Sequence, residues 1–295
     1  MASAEIASNR FEDFFWKSSD GLRLHARFYG RAAKGSPVIC IPGLTRNCRD
    51  FEDLAPWIAE SGRQVLAVDL RGRGQSERDG DVRRYAPPIY ARDIAELLRA
   101  IDATRAIFVG TSLGGIVTMT IAARTPRLVA ASVLNDVGPR VGAHGLARIA
   151  TYVGKNAPVR TWDEARSYAH ETNGYAFPNY GQADWEAFAR RLFTSDKHGA
   201  PVLDYDPKVF RAANRAPAWF NQWLAWRAFK ALSQCGPVLI VRGALSDILE
   251  PKTVARMQSC SRHVSAVEVA NVGHAPMLDE PEAREAIRAL LAKAA

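Results

Sequence analysis

The chain has 295 residues, 47% of them hydrophobic and 24% charged, with a formal net charge of +8. That composition suits a globular chain with a sizeable core and excludes a disordered or fibrous one. The positive charge is spread from Arg10 to Arg288 without a basic run or a nucleic-acid-binding motif, so no nucleic-acid partner is expected. No segment approaches the roughly 18 uninterrupted apolar residues needed to cross a membrane. Residues 1–15 lack the basic start and apolar stretch of a signal peptide, so the chain reads as soluble and cytoplasmic. Cys40, Cys48, Cys235 and Cys260 are scattered without metal-ligand spacing and read as reduced, mostly buried thiols. Neither a metal nor a cofactor is called for, and the chain is expected to act on a small molecule as a monomer or homodimer.

Two strands at residues 11–16 and 22–29 are joined by Ser19-Asp20-Gly21, a tight-turn signal for an antiparallel hairpin. Short, continuous apolar runs follow at 38–41, 65–68 and 106–109, the pattern of strands buried on both faces. A helical pattern lies at 90–101, and a second at 113–123 ends before Pro126. Residues 128–134 read as the next strand. From Gly138 to about Pro217 the alternation fails, and the chain becomes rich in aromatics, with helical fragments at 162–170 and 185–193. Strand and helix alternate again at 238–241, 253–257, 264–269 and 281–292. The pattern predicts an α/β fold with a mostly parallel sheet and helices on both faces. A helical segment, residues 139–217, is inserted after the sixth strand, so the core comprises 1–138 and 218–295.

Gly110-Thr111-Ser112-Leu113-Gly114 stands immediately after a strand and before a helix. A nucleophile at that strained turn is exposed, and the flanking glycines let the two backbones approach. The helix behind it also favours developing negative charge. A serine needs a base, and His274, in a loop after the strand at 264–269, is the candidate. Two aspartates compete to hold its tautomer: Asp247, after the strand at 238–241, and Asp136, after that at 128–134. Asp247 is preferred for its place between Ser112 and His274 in the chain, with Asp136 as the alternative acid. The oxyanion donors are expected to be the backbone N–H groups of Leu113 and Leu44, since Pro42 has none and Gly43 opens the turn.

Together with Pro42-Gly43, the segment Asp69–Ser76, Ser246-Asp247 and Gly273-His274, the elbow resembles the α/β-hydrolase superfamily over almost the whole chain. The resemblance implies that fold, with residues 139–217 placed like its cap domain. Two departures stand out: Pro42 and Arg73 occupy positions where that superfamily often has histidine. A serine at the elbow argues against relatives that use an aspartate there. The pattern suits an ester hydrolase working through an acyl-enzyme on a small or medium apolar ester. Carbon–carbon bond hydrolysis of ring-cleavage products, lactone hydrolysis and ligand reception without turnover are the alternatives. Arg46, Arg140 and Arg148 are candidates to meet an anionic substrate, and aromatics such as Phe177 and Trp185 are candidates to line an apolar pocket.

Overall fold

The computed structural model describes residues 11–152, 159–210 and 222–294, without the side chain of Tyr152. The first ten residues and the predicted end of the insertion, 211–217, lie outside that range.

Eight strands form one sheet in the order β1-β2-β4-β3-β5-β6-β9-β10. They are β1 Glu12–Lys17, β2 Arg23–Tyr29, β3 Val38–Ile41, β4 Val65–Asp69, β5 Ala106–Thr111, β6 Val129–Asn135, β9 Val238–Gly243 and β10 Val264–Val269. β1 and β2 form the antiparallel hairpin, and β2 meets β4 antiparallel. All other pairs are parallel. Alternate residues explain why the central strands read as unbroken apolar runs, because both faces are covered. Ile39, Ile41, Leu66, Val68 and Phe108 pack under α2 Pro87–Ala100, α3 Leu113–Arg124, α7 Gln222–Cys235 and α8 Pro251–Gln258. Val38, Cys40, Val65, Ala67 and Val109 pack under α1 Leu54–Ala59 and α9 Pro281–Lys293.

Between β6 and β9 lie α4 Ala143–Tyr152, α5 Trp162–Asn173, α6 Gln182–Leu192 and the small hairpin of β7 Phe193–Ser195 with β8 Pro201–Leu203. A capping box of Thr161 and Glu164 starts α5. This segment has its own apolar cluster, in which Trp185 packs with Phe177, Phe188 and Phe193.

His25 fastens the antiparallel end of the sheet. Its Nδ1 lies 2.7 Å from Asp69 Oδ2 and its Nε2 2.8 Å from Asp13 Oδ1, joining β1, β2 and β4. Asp69 also accepts the Cys48 and Gln75 backbone N–H groups, at 2.7 and 3.0 Å. His25, Cys48 and Asp69 place their donor atoms within 4.8 Å of one another. Both imidazole nitrogens and both Asp69 oxygens are already engaged, so the cluster works as a polar staple. Burial alone would lower the His25 pKa, but the carboxylates of Asp69 and Asp13 outweigh it and raise the value above the usual one. A proton held more tightly in the folded state stabilises fully below the unfolded pKa, about 6.5. That contribution is lost as pH rises through the raised folded value. The gap in Tm between wild type and His25→Gln should therefore be widest near pH 6 and narrow towards pH 9. A gap that stays constant over that range would show that only neutral hydrogen bonds are at work.

Candidate active site

The carboxyl ends of β5 and β6 are neighbours in the sheet, and each is followed at once by a residue in the left-handed region, Ser112 at φ +52° and Asp136 at φ +53°. Such a conformation costs a side-chain-bearing residue roughly 1–3 kcal/mol. Ordered contacts hold both residues there. Ser112 N–H donates to Asn135 O at 2.9 Å, and Asp136 N–H donates to Val241 O at 2.7 Å. Gly114 lets the elbow close, since a Cβ there would collide with the Ile41 carbonyl.

His274 Nε2 lies 3.0 Å from Ser112 Oγ, and its Nδ1 lies 2.7 Å from Asp136 Oδ2. The anionic acceptor at Nδ1 assigns the proton to that nitrogen, leaving Nε2 to accept from the serine hydroxyl. Asp136 is fully buried. Its Oδ1 accepts the Gly243 N–H at 3.1 Å, and its Oδ2 also accepts the Ser246 hydroxyl at 2.5 Å. Ser246 is held in turn by the N–H groups of Ile248 and Leu249, at 3.2 and 3.1 Å. Asn135 completes the frame by donating to Thr111 Oγ1 at 3.0 Å and to Pro276 O at 2.8 Å.

The expectation for Asp247 is therefore corrected: the carboxylate on His274 Nδ1 is Asp136. Asp247 instead takes two bonds of 2.8 Å from Arg148, on α4. Burial would raise its pKa, but the Arg148 guanidinium outweighs that effect and holds it below the usual carboxylate value. The reason is distance along the chain. Asp136 is the first residue after β6, whereas four residues beyond the end of β9 carry Asp247 out to the insertion. Asp136 sat next to the elbow strand and could have been preferred on that ground. Asn135 had no motif of its own, and Ser246 stood in one only as the neighbour of Asp247.

A cavity opens onto Ser112 and His274, lined among others by Leu44, Arg46, Phe177 and Phe188. Arg46 and Phe177 line this cavity, while Trp185 does not and packs against Phe177 and Phe188 in the apolar cluster of the insertion. Arg46 is paired bidentately with Asp50 and lies over the Phe188 ring at 4.3 Å. Arg140 is exposed. Leu113, as the first residue of α3, has an N–H with no partner inside the helix.

A sequence model of the alpha/beta hydrolase family matches residues 38–287. The chain belongs to the α/β-hydrolase family. It is 34% identical over 260 residues to the 3-hydroxybutyrate-oligomer hydrolase of Cupriavidus necator, covering 86% of this chain and 87% of that one. The crystal structure of an α/β hydrolase from Novosphingobium aromaticivorans superposes with a TM-score of 0.88 at 42% identity, covering 96% of this chain and 98% of that chain. Esterase Rv0045c of Mycobacterium tuberculosis is 28% identical over 86% of this chain and 82% of its own. This protein is thus an enzyme of the hydrolase class. Among the described residues of this α/β hydrolase, no helix is long and apolar enough to cross a membrane.

Because the elbow of this hydrolase needs bare backbone at Gly114, Gly114→Ala should destabilise the fold by about 1–3 kcal/mol or more. The denaturant midpoint should fall accordingly. An unchanged midpoint would mean that the elbow relaxes freely.

Proposed function

We propose that this hydrolase cleaves small or medium carboxylic esters through an acyl-enzyme on Ser112, with His274 as base and Asp136 as the acid that orients it. The observation that supports this best is the hydrogen-bonded line from Ser112 Oγ through His274 to the buried Asp136, at 3.0 and 2.7 Å. Ser112 Oγ attacks the ester carbonyl while His274 Nε2 takes its proton. The carbonyl oxygen becomes an oxyanion facing the N–H groups of Leu44 and Leu113. As the tetrahedral intermediate collapses, the alkoxide leaves with the proton from His274. Water then repeats the sequence on the acyl group and frees the acid and Ser112.

The cavity's apolar lining, including Phe51, Ile149, Phe177, Phe188 and Leu192, favours an uncharged acyl chain near the serine. A 3-hydroxybutyrate oligomer is a chain of such esters, so the substrate named for the C. necator relative falls within the proposed class. Residues 139–217 act in this reading as a cap that sets substrate size and excludes water.

A fluorophosphonate should label Ser112 and abolish ester turnover; a label elsewhere on active protein would refute the assignment. Asp136→Asn should lower kcat by up to about 10⁴, the loss seen when a triad acid no longer fixes the tautomer. Asp247→Asn should cost far less, about tenfold or below, because its partner is Arg148. The reverse ranking in kcat would return the role to Asp247. Phe188→Ala should change the ratio of kcat/KM between short and long p-nitrophenyl esters, whereas Trp185→Ala should mainly lower Tm. Equal effects on all ester lengths for Phe188→Ala would remove it from the pocket.

A further inference from the structure

Arg73, in the loop after β4, has no task in the reaction above, yet it stands directly behind Leu44. Its side chain is 1% exposed. Nε donates to Leu44 O at 3.0 Å, and Nη1 donates to Arg71 O at 2.7 Å and to Tyr90 Oη at 2.9 Å. Nη2 is buried without a hydrogen-bond partner. The guanidinium carbon lies 5.1 Å from the Tyr90 ring centre and 5.7 Å from that of Tyr85. Among the described residues, no carboxylate forms an ion pair with Arg73. Its neighbour in the loop differs: Arg71 is equally buried but is met by Asp20, Asp79 and Asp93 at 3.0, 2.6 and 2.6 Å.

Arginine stays protonated in proteins, so Arg73 is a buried cation held only by neutral acceptors and aromatic rings. Burying a charge without a counterion is costly, and one orphaned N–H adds to the cost. Fold stability alone does not account for such an arrangement. A fixed positive charge is useful where negative charge develops during reaction, because it costs no reorganisation at that moment. The Leu44 carbonyl that Arg73 grips belongs to the residue whose N–H is proposed to face the oxyanion. Gripping it fixes the peptide plane that follows Leu44, and with it the aim of the loop. The insertion clamps the same arginine from behind, since the Arg73 backbone forms a β-bridge with Tyr205, which lines the cavity.

We propose that Arg73 is a positioning residue of the oxyanion site. It holds the Leu44 loop by its carbonyl and sets behind it a positive charge that no carboxylate pairs directly, so that the tetrahedral intermediate is stabilised more than the bound ester. This role rests on the serine-hydrolase reading above.

The test uses the full chain with Arg73→Met, Arg73→Gln and Arg73→Lys, p-nitrophenyl butyrate as substrate and an alkyl trifluoromethyl ketone as the tetrahedral-adduct probe. Arg73→Met should lower kcat by about 10- to 100-fold, less than loss of a direct oxyanion donor. Its KM should move by no more than about threefold, because the ester ground state gains little from the charge. The ketone's Ki should rise by the same factor as kcat falls. Arg73→Lys should recover a large part of kcat, and Arg73→Gln, a donor without charge, should not. A folded Arg73→Met with kcat within about threefold of wild type, or a fall in kcat without a matching rise in Ki, would overturn the proposal. If Arg73→Met does not fold, Lys and Gln variants of equal kcat would overturn it on their own. Wild-type protein that turns over no ester and takes no label at Ser112 would instead overturn the parent reading.

Discussion

The Asp136 carboxylate is wholly buried, yet it receives hydrogen bonds from three different segments: the end of β9 through Gly243, the following loop through Ser246, and the loop before α9 through His274. Its own N–H is fixed on Val241 O. An unpaired buried carboxylate would be prohibitive, and one so enclosed locks each of its donors in place. The chain segments that must converge at the carboxyl edge of the sheet are therefore held by one anion. Its left-handed backbone turns the side chain from β6 across the end of β9, which is what brings it under His274.

The neighbouring strand end obeys the same logic. Ser112 also holds a left-handed conformation, and the surroundings that enforce it are backbone contacts with Asn135 and the bare approach of Gly114 to β3. Strain of this kind persists where packing leaves no alternative. Asn135 and Asp136 are consecutive, so one strand end supplies the braces on both sides of the imidazole: Asn135 on Thr111 and Pro276, Asp136 on His274 itself. The geometry at Ser112 thus depends on two adjacent strand ends.

Much of the sheet was legible in the sequence because a strand covered on both faces is apolar along its buried run, and β3 and the first four residues of β4, β5 and β9 are. The elbow was legible because its glycines answer a steric demand that no other residue meets. Helix starts were less so. α2 begins at Pro87, three residues before the apolar period at Tyr90, since proline suits a first turn that needs no N–H. α1 is only six residues long and its N-cap Asp53 makes no side-chain capping bond, and the β7–β8 hairpin is only three residues on each side. The acid was misassigned for a different reason. Chain order ranks Asp247 well, but side-chain reach is decided by how far each residue lies from its strand's last hydrogen bond and by a backbone angle that no motif announces.

Asp247, which does not reach His274, shows what fastens the insertion. Asp247 binds Arg148 on α4, whose guanidinium lies 3.5 Å from the ring centre of Tyr175, and the Tyr175 hydroxyl donates to His274 O at 3.1 Å. At the opposite side, Arg49 reaches Asp204 and Arg191 reaches Glu52 and Asp53. Ion pairs at partly exposed sites are individually weak, about 0–1 kcal/mol each. They are also directional, and their partners are on the core side of each contact. An apolar underside alone would let the insertion slide over the cavity, because hydrophobic contact has no preferred register. The charged contacts on both flanks fix that register, and beside one of them the Tyr175 hydroxyl bonds the backbone of the histidine itself. The two strand-following aspartates thus divide the work: Asp136 holds His274 from beneath, and Asp247 holds the segment that lies over it.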